Sequence, residues 1–230
     1  MNSTIIVFPG SNCDRDIQVC LRDTFKLEPK MIWHRETEIG PTDLIIIPGG
    51  FSFGDYLRAG CIAAHSPAIR EVIKHAEAGV PVLGICNGFQ ILCEAGVLPG
   101  ALIQNTDLKF ICRDVHLRVE NDKALFTQSY NTGDILKMPI AHHEGNYVTD
   151  PETLKRIEND NRVAFRYCTS KGIDNENANP NGSVKNIAGV LNDVGNVLGM
   201  MPHPERMVAK VLGGTDGKLF FEKLAGKISK

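Results

Sequence analysis

The sequence predicts an α/β fold in which a mostly parallel β-sheet is covered by helices on both faces. Short, continuous apolar runs, such as residues 44–47 and 80–85, are typical of strands buried on both sides of a sheet. These runs alternate with longer segments whose apolar residues recur at helical spacing, which is the pattern of strand–helix–strand units. We find no internal repeat and no linker, and we therefore expect residues 1–230 to form a single domain.

Local signals justify the elements in order along the chain. Residues 4–8 form a β-rich run that ends at Pro9-Gly10, and residues 14–25 carry apolar residues at helical spacing after an acidic first turn. Further strands are predicted at residues 30–34, 44–47, 80–85, 110–119, 135–140, 162–167, 187–191 and 197–201. Further helices are predicted at residues 67–78, 88–95 and 216–228, and a surface loop at residues 174–183.

Composition and charge narrow the class of protein. The chain is 43% apolar and 23% charged with a formal net charge of −2, so it lacks the basic field expected of a nucleic-acid-binding protein. No apolar run approaches the roughly 20 residues that span a bilayer, and the first ten residues lack the features of a secretion signal. The seven cysteines include no Cys-x-x-Cys pair, which favours reduced thiols over disulfides or structural zinc. We expect a cytoplasmic protein without a membrane partner or a metal.

The most informative motif is Gly-x-Cys-x-Gly at residues 84–88, which stands between a predicted strand and a predicted helix. This pattern is typical of the sharp turn that presents a nucleophile, here Cys86, at the carboxyl end of a sheet. The following helix N-terminus favours a thiolate, and its backbone N–H groups can hold an oxyanion. The alternative interpretation is a buried, inert cysteine in a glycine-flanked turn.

A base and an oxyanion loop are predicted from two other segments. Pro204 disfavours a helix at His203, so we expect an extended stretch in which His203 and Glu205 point to the same side. Glu205 could then orient the imidazole that works on Cys86. Pro48-Gly49-Gly50 ends another predicted strand, and its backbone could approach a ligand closely. A rigid proline turn and an ordinary glycine turn are the alternatives.

Taken together, these motifs resemble those of the class I (triad) glutamine amidotransferases. Within that class the chain is most similar to the glutaminase subunits of phosphoribosylformylglycinamidine synthase, an enzyme of de novo purine biosynthesis. The similarity covers nearly the whole chain and rests on residues 8–14, 49–58, 141–147, 179–183 and 199–206. It implies a flavodoxin-like class I amidotransferase domain. The family pattern has Gly where this chain has His143.

The resemblance implies a role for each site residue. Cys86 attacks the glutamine amide, His203 protonates the departing ammonia and then activates water, and Glu205 orients His203. The residues implied for the oxyanion hole and for glutamine binding are Gly49, Gly50, Phe51, Asn87 and Gln90. His142 and Glu144 lie in a loop that could contact either glutamine or the synthetase.

The resemblance also implies partners and cofactors. A large synthetase subunit and a small third subunit would use the ammonia to convert formylglycinamide ribonucleotide to formylglycinamidine ribonucleotide. We expect ATP and magnesium on the synthetase and no cofactor in this chain, which has no Gly-x-x-x-x-Gly-Lys-[Ser/Thr] phosphate loop. The glycine-rich loop at residues 49–60 carries three aromatic residues and is a candidate for docking to the synthetase.

Two rival functions remain open from the sequence. One is a cysteine hydrolase of the dienelactone-hydrolase or stress-protein type, although the stress proteins typically have His where this chain has Asn87. The other is a non-catalytic binding subunit that has kept the fold. The presence of Cys86, His203 and Glu205 favours the amidotransferase, provided that the three residues converge in space.

Overall fold

The computed structural model describes residues 1–228 and contains eleven strands and five α-helices in that range. The strands are β1 (Ser3–Val7), β2 (Lys30–Trp33), β3 (Leu44–Ile47), β4 (Val82–Ile85), β5 (Ala101–Ile103), β6 (Ile111–Val119), β7 (Ile135–His142), β8 (Asn146–Val148), β9 (Val163–Cys168), β10 (Ile187–Leu191) and β11 (Val197–Met200). The helices are α1 (Asp14–Phe25), α2 (Pro67–Glu77), α3 (Asn87–Glu94), α4 (Pro151–Asn159) and α5 (Asp216–Ile228).

Nine of the strands form one sheet in the order β2-β1-β3-β4-β11-β10-β9-β6-β7. The first five of these strands are all parallel and follow the strand order of flavodoxin-like folds. The remaining strands extend the sheet by antiparallel pairing, and β5 and β8 form a separate two-stranded sheet. The predicted α/β fold is confirmed, with the parallel strands placed together on one side of the large sheet.

The parallel half of the sheet is covered on both faces. In β4 the position of Gly84 faces α3, since an added Cβ there would meet Leu92 and Gly88 of that helix. Neighbouring strand residues point to the opposite face, and Leu83 and Ile85 are also fully buried. This two-sided burial explains why the sequence of β4 reads as a continuous apolar run rather than an alternating one.

The structure adds three elements that the sequence pattern did not predict. Helix α4 begins after Asp150, whose side chain accepts a hydrogen bond from the Thr153 N–H, and has Pro151 in its first turn. Both features are ordinary signals of a helix start. The other two elements are β5 and β8, each three residues long, which are too short to give a periodic signal. No helix within residues 1–228 is long and apolar enough to cross a bilayer.

Candidate active site

Cys86 occupies the single residue between β4 and α3, and its backbone is held in an uncommon conformation. Its φ of 51° and ψ of −105° lie outside the regions that side-chain-bearing residues normally adopt. The Cys86 N–H donates to the Met200 carbonyl, and the Cys86 carbonyl accepts from the N–H groups of Phe89 and Gln90. Such strain persists only where surrounding contacts enforce it, and it often marks a functional site. The turn thus has the geometry of a nucleophile elbow.

The positions of the glycines around Cys86 leave no room for a side chain. An added Cβ at Gly88 would lie 2.0 Å from the Ile47 carbonyl oxygen, and one at Gly84 would lie 2.7 Å from the Gly88 oxygen. Gly49 leaves room for the site itself, because its added Cβ would lie 2.7 Å from Cε1 of His203 and 3.4 Å from Cβ of Cys86. Neither Gly84 nor Gly88 can therefore be replaced by a larger residue without displacing its neighbours.

We expect Gly88→Ala to destabilise the fold strongly. The new methyl group would collide with the backbone of Ile47, which cannot move aside without disturbing β3, and overpacking of this kind costs about 1–3 kcal/mol or more. Gly226→Ala is the matched control, since its Cβ in α5 meets nothing within 4 Å. The control should gain up to about 1 kcal/mol from helix propensity. Urea unfolding of both variants measures the difference, and equal stabilities would contradict the steric argument.

The residues of the predicted triad converge because their strands are neighbours. β4 lies between β3 and β11 in the parallel half, so the segments after the three strands meet at one edge of the sheet. His203 follows β11, and its Nδ1 lies 2.6 Å from Oε1 of Glu205. Only 1% of His203 and 3% of Glu205 is exposed to solvent. Cys86 lies close to this pair, since an added Cβ at Gly49 would contact both His203 and Cys86, so the structure places the three predicted residues at one edge of the sheet.

The local conformation of this segment differs from the prediction. His203 is non-helical, as Pro204 requires, but Glu205 lies in a 3-10 turn that spans Pro204–Arg206. The expected extended stretch with two side chains on one side is therefore wrong for Glu205. The tight turn curls the carboxylate back toward the imidazole and makes the contact by another route.

Electrostatics at His203 favour a protonated imidazole. Burial alone would lower the pKa of His203, but the negative charges of Glu205 and Cys86 outweigh it and raise the pKa well above its ordinary value. The imidazolium is the form that can give a proton to a leaving amine. A second histidine, His142, behaves in the opposite way, since burial and the nearby His203 lower its pKa to about 4.

A second thiol lies beside the imidazole. Ligand atoms of Cys13, His203 and Glu205 lie within 4.8 Å of one another, which is a spacing that could hold a metal ion. The guanidinium of Arg206, however, donates from Nη2 to Sγ of Cys13 at 3.1 Å and also pairs with Asp16 at 3.0 Å. This positive charge opposes a cation, so the donor set fits a proton-transfer site better than a metal site.

Three of the other cysteines have the character of inert thiols. Burial raises the pKa of Cys20 to about 12 and that of Cys168 to about 11, and it raises the pKa of Cys93 still further. A thiol with so high a pKa carries almost no thiolate at neutral pH. These three residues therefore cannot compete with Cys86 as nucleophiles.

The oxyanion donors can be assigned from the backbone hydrogen bonds. The N–H of Phe51 donates to the Gly10 carbonyl at 2.9 Å, so it is already used and the prediction for Phe51 as a donor is corrected. No acceptor is present within the described residues for the N–H groups of Gly50 and Asn87, which flank Cys86 on two sides. These two groups are the candidate oxyanion donors.

The side chains of Asn87 and Gln90 connect the loops around Cys86. Asn87 accepts from the Ser52 N–H at 3.1 Å and donates to Oε1 of Gln90 at 2.9 Å. Gln90 in turn donates to the Glu144 carbonyl at 2.6 Å. This chain of hydrogen bonds ties the loop after β3 and the loop after β7 to the start of α3. Gln90 thus positions the walls of the site, in addition to lining it.

His142 supports the loop after β7 through a shared hydrogen-bond partner, Asn105. Its Nδ1 lies 3.1 Å from Oδ1 of Asn105, which also accepts from the Gly145 N–H. His142 is buried and shapes this loop, and it also lines the cavity above Cys86, so its predicted contact with glutamine stays a prediction. His143, where the family pattern has Gly, has an ordinary negative φ and is partly exposed, so the side chain fits.

A cavity of about 210 Å³ opens above Cys86. Its volume lies below the range of about 300–1,000 Å³ typical of drug-sized ligands, which suits a small ligand such as a free amino acid. The residues that line it come from the segments described above and are Gly50, Phe51, Gly54, Asp55, Cys86, Gln90, Ala141, His142, His143 and Glu144. Asp55 was not predicted as a site residue, because nothing in its local sequence marks it apart from an ordinary loop aspartate.

Known proteins are similar to this chain in sequence and in fold. The family model for CobB/CobQ-like glutamine amidotransferase domains matches residues 1–215. The phosphoribosylformylglycinamidine synthase subunit PurQ of Bradyrhizobium diazoefficiens is 54% identical, with 100% of this chain and 99% of that protein covered. The PurQ subunit of Acaryochloris marina is also 54% identical, with 96% and 94% covered. A chain in the solved structure of PurLQS from Thermotoga maritima is 43% identical, with 98% and 97% covered and a TM-score of 0.86.

Proposed function

This chain belongs to the family of PurQ subunits of phosphoribosylformylglycinamidine synthase, within the CobB/CobQ-like glutamine amidotransferase domains, and from this membership we propose how its residues release ammonia from glutamine. The observation that carries the proposal is the strained turn at Cys86 with the buried His203–Glu205 pair beside it. A nucleophile, a base and an orienting carboxylate in this order are the minimal set for covalent acyl transfer.

The reaction proceeds in two halves. Sγ of Cys86 attacks the side-chain amide carbon of glutamine, and the N–H groups of Gly50 and Asn87 stabilise the oxyanion that forms. His203 gives its proton to the nitrogen as the carbon–nitrogen bond breaks, which releases ammonia and leaves a thioester. His203 then takes a proton from water, which attacks the thioester carbon and releases glutamate. Glu205 holds the imidazole and stabilises its charge.

The ammonia is used by partner subunits. The chain is the glutaminase subunit of an assembly with a large synthetase subunit and a small third subunit, in purine biosynthesis. The synthetase joins the ammonia to formylglycinamide ribonucleotide to give formylglycinamidine ribonucleotide. We place ATP and magnesium on the synthetase, no cofactor on this chain, and the assembly in the cytoplasm.

The loop after β3 supports docking near the active site. Tyr56 is 74% exposed, and Phe51 and Leu57 are also exposed, whereas Phe53 is anchored edge-on against the rings of Phe8 and His34. Exposed aromatic and aliphatic side chains on a loop that is anchored at one point are suited to an interface. Docking at this loop would bring the synthetase directly over the mouth of the cavity.

The rival hypotheses are less consistent with these findings. Full-length similarity to PurQ subunits excludes the dienelactone-hydrolase and stress-protein types. A non-catalytic subunit would have no need for a strained cysteine beside a buried His–Glu pair.

The function is tested by labelling with a chloroketone analogue of glutamine. We expect one adduct, mapped by peptide mass spectrometry to Cys86, because only that thiol lines the cavity. Excess glutamine should protect it, and the Cys86→Ala protein should remain unlabelled. An adduct at Cys13 instead, or labelling that glutamine does not block, would refute the proposed nucleophile.

A further inference from the structure

The cavity above Cys86 carries two acidic side chains and no basic one. Asp55 and Glu144 both line it, while no lysine or arginine does among the described residues. The two histidines of the lining do not balance this charge, since the pKa of His142 is lowered to about 4 and His143 stands at the rim as a partly exposed residue. A ligand of this cavity therefore meets two carboxylates and no cationic side chain among the described residues.

The two carboxylates are held in place by the same hydrogen bonds that frame Cys86. Oδ1 of Asp55 accepts from Nδ2 of Asn87 at 3.4 Å, and Oε2 of Glu144 accepts from the Ala59 N–H at 3.2 Å. The backbone carbonyl of Glu144 is fixed by Gln90 at 2.6 Å. Asp55 and Glu144 therefore come from two separate loops. They converge because Asn87 and Gln90, at the start of α3, donate hydrogen bonds to these loops.

Neither carboxylate has a cationic partner in residues 1–228, although other acids on the surface do. Asn87 is the one donor to Asp55 in that range, at a long distance, and no ion pair involves Asp55 or Glu144. Burial and the nearby Glu144 raise the pKa of Asp55 to about 6. A bound cation would relieve this repulsion, so the cavity suits a positively charged group.

We propose that Asp55 and Glu144 together bind the α-ammonium group of glutamine, and so select the free amino acid over other primary amides. This inference rests on the proposed glutaminase function. With the amide carbon at Cys86, the far end of glutamine presents one positive and one negative group, and only the positive one suits this wall. Charged hydrogen bonds to two carboxylates also fix the chain direction, so that the amide reaches the nucleophile.

The strained backbone of the Asp55 loop fits this role. Phe53, Asp55 and Leu57 all have positive φ values, between 54° and 70°, which side-chain-bearing residues rarely adopt. Such a conformation lowers the stability of the fold. The raised pKa of Asp55 means that its charged carboxylate lowers this stability as well. Strain and uncompensated charge at one position are typical of a residue retained for binding.

The test compares glutamine with glutaramate, which keeps the amide and lacks the α-ammonium group. Ammonia release is measured on the chain assembled with its synthetase and small subunit. We expect the wild type to prefer glutamine strongly, and Asp55→Asn to lower kcat/KM for glutamine roughly 10–100-fold, mainly through KM. The same variant should leave glutaramate turnover unchanged, so that the preference collapses. Glu144→Gln should act in the same direction, and Asp160→Asn, at an exposed position after α4, is the matched control.

A thermal unfolding midpoint separates binding from a structural role. Since the folded pKa of Asp55 lies above its ordinary value, the charged form destabilises the fold at neutral pH, and Asp55→Asn should unfold at the same temperature as the wild type or higher. An unchanged glutamine-to-glutaramate preference in both variants would overturn the inference while leaving the glutaminase intact. Absence of turnover of either amide by the wild type would overturn the glutaminase function itself, and this inference with it.

Discussion

Alanine at position 86 is expected to abolish glutamine-dependent synthesis by the assembled complex while leaving its use of free ammonia intact. The substitution removes the only sulfur that lines the cavity, and loss of a covalent nucleophile typically costs on the order of 10⁶-fold in turnover. The synthetase reaction needs ammonia but not its source, so an ammonium salt should restore product formation. Both activities are measured as product formed with glutamine or with ammonium salt.

The control for this variant is Cys112→Ala, which removes an exposed cysteine and should change neither activity. Loss of the ammonia-dependent activity along with the glutamine-dependent one would show that Cys86 holds the structure together, and the mechanism would then be wrong. The alanine side chain of the Cys86→Ala variant is smaller than that of cysteine and can adopt the same strained φ, so we expect this variant to fold.

The second large effect is expected at His203. Removing its imidazole takes away the proton donor for ammonia and the base for water, so His203→Ala should lower glutaminase turnover by about 10³-fold or more. Glu205→Gln should cost less, because the amide can still contact Nδ1 but cannot stabilise the imidazolium. The loss in the double variant should be much smaller than the product of the two single losses, since both residues serve one step.

Glutamate release by the assembled complex measures these variants. His65→Ala, an exposed histidine just before α2, is the matched control and should be unchanged. Near-normal turnover in His203→Ala would remove His203 from the mechanism. A Glu205→Gln loss larger than that of His203→Ala would mean that Glu205 acts on the substrate directly rather than through the imidazole.

Much of the site could be predicted because its signals are local. Cys86 stands in a Gly-x-Cys-x-Gly turn whose two glycines are fixed by steric contacts with a neighbouring strand and helix. His203 and Glu205 are two residues apart, so their contact needed only a tight turn, even though the predicted extended conformation was wrong. Parallel pairing of β3, β4 and β11 then brought the segments to one edge.

The remaining features depend on contacts between distant parts of the chain. The commitment of the Phe51 N–H to the Gly10 carbonyl links two loops whose approach leaves no mark in either local sequence. Asp55 became a site residue only because Asn87 and Ala59 orient its loop and that of Glu144 toward the same cavity. Sequence periodicity records which face of an element is buried, and it carries little information about how irregular loops meet.

The pairing of β4 with β11 has a consequence for how the protein is made. Met200 lies directly beside Ile85 in the sheet, so Cys86 and His203 become neighbours only after β11 and the residues that follow it have been synthesised. A nascent chain on the ribosome therefore carries the nucleophile long before it can acquire its base. The order of the strands along the chain thus separates the synthesis of the nucleophile from that of the residues proposed to activate it.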